Sequence, residues 1–178
     1  GDTIPGTDIR FVAITDEGAE FEIANLRSIR AIGDSLDFDG NWPGIDGVTY
    51  NLRTRIYRIG SENIRAAGVH QLAIERISPT DTNVGMGDHT TRFLYSSGAE
   101  SGERFDGMTL GYVGGTDRGG ELSGLPAGDY PYRKVGDSVG WRGQLRPDIP
   151  VEYPARMLLY GENSARIGGV VKVSLPNN

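Results

Sequence analysis

Apolar and polar residues alternate with a period of two along most of this chain. In Asp8–Ile14, the residues Ile9, Phe11 and Ala13 fall on one face. From Val48 to Ile56, Val48, Tyr50, Leu52 and Ile56 are apolar, while Asn51, Arg53 and Arg55 point the other way. Ile64, Ala66, Leu72 and Ile74 line one face of the next segment, where Gly68 reads as a bulge. Thr91–Ser96, Phe105–Val113 and Val139–Leu145 are shorter strand candidates. Val151–Tyr160 and Arg166–Leu175 close the chain, the latter with Ile167, Gly169, Val171, Val173 and Leu175 alternating. About nine strands separated by turn signals predict an all-β fold with little helix, an antiparallel β-sandwich of immunoglobulin-like or jelly-roll type. Only Ala19–Ile32 departs from this pattern, and it fits either a helix or a bent strand. Residues 1–15 read as an N-terminal extension and 16–178 as one sandwich domain. Within that domain Ile32–Gly47 and Gly114–Gly128 read as long surface loops.

Composition agrees with turns between strands. The 178 residues include 27 glycines and 9 prolines, interspersed with β-branched and aromatic residues. No cysteine is present, which excludes disulfides, thiol catalysis and zinc–thiolate sites. The net charge of −6 argues against a nucleic-acid partner. Of the 18 basic residues only Lys134 and Lys172 are lysines, and arginine suits interfaces because its planar fork makes several hydrogen bonds at once. No apolar run approaches the roughly 18–20 residues that span a bilayer, so no membrane insertion is expected. Gly1-Asp2-Thr3 lacks the basic start and apolar stretch of a signal peptide; an exported form is expected to have lost its leader.

Several constellations invite chemistry. Ile32-Gly33-Asp34-Ser35-Leu36 resembles the GDSL block of the SGNH esterases, which implies Ser35 as a nucleophile. A serine needs a base, however, and neither His70 nor His89 follows an aspartate by three positions, as that family requires. Gly-Asp-Ser recurs at Gly136-Asp137-Ser138, as expected of turn chemistry. His70 shares a face with Leu72 and Ile74 and reads as a packed histidine, and His89 as a turn residue. Asp37, Asp39 and Asn41 echo an EF-hand loop, but Trp42 and Val48 stand where its glycine and bidentate glutamate belong. Asp34, Asp37, Asp39 and Asp46 remain as candidate oxygen ligands for calcium, with no metal assigned. Gly111–Gly120 lacks the Gly-Lys-Ser/Thr of a phosphate loop and reads as a flexible loop. Trp141 alternates with Val139 and belongs in the core, whereas Trp42, in Gly40-Asn41-Trp42-Pro43-Gly44, reads as an aromatic ligand-loop residue. No enzyme and no cofactor are expected.

Ile149-Pro150-Val151-Glu152-Tyr153-Pro154-Ala155-Arg156, then Met157–Tyr160, the turn Gly161–Ala165 and the strand Arg166–Leu175, resemble the C-terminal end of chaperone–usher fimbrial subunits. The resemblance implies an incomplete immunoglobulin-like sandwich, completed by the N-terminal extension of the next subunit. Thr3–Ile14 would be that donor strand, with Ile9, Phe11 and Ala13 seated beside Ile167, Val171, Val173 and Leu175 of a neighbour. It also implies a homopolymer of this chain at the cell surface, with a periplasmic chaperone and an usher as partners. Two other readings stay open: a jelly-roll capsid or decoration protein of a virion, and a carbohydrate- or receptor-binding module using Trp42.

Overall fold

The structure, a computed structural model, describes residues 1–82, 84–87 and 90–176. His89, read above as a turn residue, lies outside them. Among the described residues there are thirteen strands and no helix, and every strand pairing is antiparallel. The all-β prediction therefore holds. The chain divides into two compact units, Gly1–Glu75 together with Pro176, and Arg76–Leu175, rather than an extension and one domain.

Unit 1 contains two three-stranded sheets. One is β1 (Arg10–Thr15), β2 (Gly18–Ile23) and β3 (Leu26–Arg30); the other is β4 (Ser35–Asn41), β5 (Val48–Ile59) and β6 (Ile64–Ile74). Ile9, Ala19 and Phe21 from the first meet Leu36 and Ile56 from the second in one buried cluster, so the inner faces pack on each other. Ile4-Pro5-Gly6-Thr7 makes a tight turn. Gly6 has φ +78°, and Thr7 donates its N–H to the Ile4 carbonyl at 3.1 Å. That turn folds the first residues back along the next ones, with Ile4 N–H bonded to Ile9 O and Phe11 N–H to Asp2 O, both at 2.9 Å.

The expected N-terminal extension is thus an integral strand of unit 1. Residues Arg10 to Thr15 pair with β2 from Arg10↔Glu22 to Thr15↔Gly18, and Phe11 stacks edge-on against Phe21 at 5.9 Å. A bulge between Phe11 and Ala13 shifts the alternation, so Ile14 rather than Ala13 packs against the core.

The ambiguous stretch Ala19–Ile32 is a hairpin. Ala24 and Asn25, at φ +50° and +64°, form the two-residue turn between β2 and β3. Ile32–Gly47 is not a loop throughout, because β4 runs through it and pairs with β5 along its length. Gly68 is not the bulge either. The register shift lies on β5, between Ile56 and Arg58, and Gly68 instead lets the strands approach closely: a Cβ there would stand 1.9 Å from the Arg53 carbonyl oxygen.

Unit 2 is built on a four-stranded sheet in the order β11 (Ser138–Arg146), β12 (Ile149–Tyr160), β13 (Ser164–Ser174), β7 (Thr90–Glu100). A smaller sheet holds β8 (Gly111–Thr116), β9 (Gly119–Ser123) and β10 (Tyr132–Arg133). The expected loop Gly114–Gly128, and with it the glycine run Gly111–Gly120, is largely the β8–β9 hairpin. Phe105–Leu110 of the expected strand Phe105–Val113 is a turn segment whose Phe105, Met108 and Leu110 are buried. Trp141 lies in the core as expected, donating its indole N–H to Asp81 and Thr109 at 2.6 and 2.8 Å.

Candidate functional site

Apart from Ala13, the residues expected to join subunits belong to the cores or pack against them. Ile9 is fully buried in unit 1, and Phe11 packs against the same cluster. Ile167, Val171, Val173 and Leu175 are buried in unit 2. Their alternation was real, but the face it marks is filled from within. β13 has no open edge, since β12 pairs with it on one side and β7 on the other across eleven registered residues. Burying Ile9 contributes about 1.5–3 kcal/mol to unit 1 itself, and the partly buried Phe11 adds less.

Trp42 is not a surface ligand residue. Only 2% of it is exposed; its ring stands edge-on to Tyr50 at 5.1 Å, and its indole N–H donates to the Pro176 carbonyl at 2.9 Å. A Cβ at Gly6 would lie 2.4 Å from the same ring. Trp42 therefore fastens both ends of unit 1.

The aspartates do not form a calcium loop. Asp37 and Asp39 project from β4 and are engaged by Arg55 and Arg53 of the adjacent strand. Asp34 accepts the Ala31 N–H at 2.7 Å, and Asp46 lies in the turn before β5. No group of three or more metal-ligating side chains converges among the described residues.

Ser35 opens β4 opposite Arg55, which in turn faces Ala67. His70 stands opposite Leu52, which faces Phe38, three residues further along β4. That offset is about 10 Å along the strand direction, beyond proton-transfer reach. His70 Nδ1 instead meets the Tyr50 hydroxyl at 3.2 Å.

What the molecule does present is an apolar patch on the outer face of the four-stranded sheet. Leu94 is 92% exposed and faces Val170 directly across β7 and β13. Leu158 leans over Gly168, where a Cβ would come within 2.7 Å of its Cδ1. Together with Ser96 and Gly169 they line a shallow groove of about 550 Å³. The strand registers place Arg92, Arg156, Arg166 and Lys172 on the same face, around this patch. Glu100 and Glu152 are acids of that face, and Glu152 is held between Lys172 and Arg142 at 2.8 and 3.1 Å, which lowers its pKa below the usual carboxylate value.

A second surface lies at β10. Tyr130 and Tyr132 stand edge-to-face at 5.4 Å, and the Arg118 guanidinium covers the Tyr132 ring at 3.9 Å. Neither surface was singled out from sequence. Leu94 and Val170 occupy polar-phase positions of their strands, and this break in alternation was the available signal. Comparison with known proteins yields no matching family model, no matching curated protein and no matching solved structure.

Proposed function

We propose that this chain is a structural subunit that works by self-association through its sheet surfaces rather than by catalysis. This is the role that the resemblance of its C-terminal third to fimbrial subunits implies, but with a different mode of joining. A donor strand would require β1 to leave a core in which Ile9 and Phe11 are packed. The observation that carries the reading is the Leu94–Leu158–Val170 patch inside its ring of cations.

Electrostatic complementarity names the occupant. Gly1–Glu75 holds twelve acidic residues against seven arginines, so unit 1 of another copy offers the opposite charge to the basic rim. Such a contact is heterologous and propagates into a ring or filament. Leu94→Asp tests it, since the side chain is solvent-exposed and the fold does not depend on it. The variant should remain folded and lose higher oligomers on size-exclusion chromatography with light scattering, and added salt should weaken the native assembly. Unchanged assembly in Leu94→Asp would remove this surface from the account.

A carbohydrate-binding role is favoured by a different observation, the exposed Tyr130 beside Tyr132 and Arg118. Glycan-array binding that Tyr130→Ala abolishes would establish it.

A further inference from the structure

β6 is the far strand of its sheet, hydrogen-bonded to β5 on one side and to no strand on the other among the described residues. Proteins usually protect such an edge with charges, proline, bulges or shortness. The other outer strands of unit 1 show these devices. β3 has five residues, two of them arginine, and β4 carries Asp37 and Asp39. β6 shows little of this. Its eleven residues, Ile-Arg-Ala-Ala-Gly-Val-His-Gln-Leu-Ala-Ile, contain one charge, no proline and no bulge of their own, and Val69 at the centre is 67% exposed. Such a strand spans about 36 Å, a long template of outward backbone groups.

From this edge we propose that two copies of the chain join by antiparallel pairing of β6 with β6 about a twofold axis at Val69. The proposal rests on the self-association reading above and names a second surface for it. An antiparallel partner must place like faces together, which fixes the parity of the register. Centring on Val69 is then the arrangement that pairs all eleven residues.

The sequence is self-complementary in that register. On one face Ile64 meets Ile74, Ala66 meets Leu72 and Gly68 meets His70; on the other Arg65 meets Ala73, Ala67 meets Gln71 and Val69 meets itself. Small residues oppose large ones at four of these pairs, and Arg65 faces Ala73 rather than its own copy, so no like charges collide. The contact is isologous and closes into a dimer. Combined with the heterologous Leu94 surface, it gives paired strands of subunits rather than single ones.

The absence of cysteine permits a direct test by cross-linking. In the proposed dimer two copies of Val69→Cys stand at about 4.5–5.5 Å between Cα atoms, within disulfide range, and should cross-link on mild oxidation. Two copies of Ala73→Cys stand eight residues apart, about 26 Å, and should not. Val69→Lys sets two ammonium groups against each other and should raise the dimer dissociation constant at least about tenfold, with an unchanged circular dichroism spectrum. If Val69→Cys cross-links no faster than Ala73→Cys while the native protein still self-associates, the β6 pairing is wrong and the broader reading stands. A native protein that stays monomeric at every concentration overturns both.

Discussion

Trp42 shows how one residue can close a unit of this kind. Its indole receives Gly6 on one side and reaches the Pro176 carbonyl by hydrogen bond, so residues far apart in sequence share a single anchor. Trp42→Ala should destabilise unit 1 by about 3–5 kcal/mol in urea unfolding, the usual cost of emptying a buried aromatic site. Tyr95 and Tyr153 hold a comparable position in unit 2, their rings edge-to-face at 4.6 Å. Burial pushes the Tyr95 hydroxyl up to about 12, against a Ser97 hydrogen bond that lowers it and with the Asp106 charge adding to the rise. Burial first, and then Tyr95 and Asp106, push Tyr153 higher still. In this region the folded state keeps protons that the unfolded chain has lost. Their contribution to stability is therefore intact below about pH 10 and disappears as pH climbs toward about 12. Phenolate absorbance should show these two tyrosines ionising together with unfolding, and Tyr95→Phe should move the alkaline transition to higher pH.

At the scale of elements, turn chemistry decided what periodicity left open. The hairpin between β2 and β3 turns on Ala24 and Asn25 with positive φ, and alanine carries no turn signal, which is why Ala19–Ile32 could also be read as a helix. Alanine at φ +50° is strained. Ala24→Gly should therefore stabilise the protein by about 0.5–1 kcal/mol, readable as a rise in the urea midpoint at unchanged slope. The strands themselves were legible wherever one face is buried, as in Val48–Ile56 and Val139–Leu145. β4 was hidden because Asp37 and Asp39 on its outer face looked like a solvated loop, although Leu36 and Phe38 alternate with them. The Gly111–Gly120 hairpin was hidden by glycines that serve close approach: a Cβ at Gly115 would meet the Gly161 carbonyl oxygen at 2.6 Å.

For the whole molecule, alternation identifies which residues are buried but not what covers them. Ile9 and Phe11, with Ile167, Val171, Val173 and Leu175, are the alternating apolar sets expected to join neighbouring subunits, and they pack within their own units instead. Ile9 and Phe11 are covered in part by Leu36 and Ile56 of the facing sheet of unit 1, a long-range packing that a local pattern does not contain. Among the surfaces where apolar residues stay exposed after the sheets have formed, the two proposed for assembly hold Leu94 with Val170 on one and Val69 on the other. In the proposed function these surfaces serve self-association. Sedimentation equilibrium of the native protein across a wide concentration range at low salt tests it most directly. The expected mass rises with concentration from the 19.2 kDa chain through a dimer to larger species. A single species of one chain's mass at every concentration would contradict it.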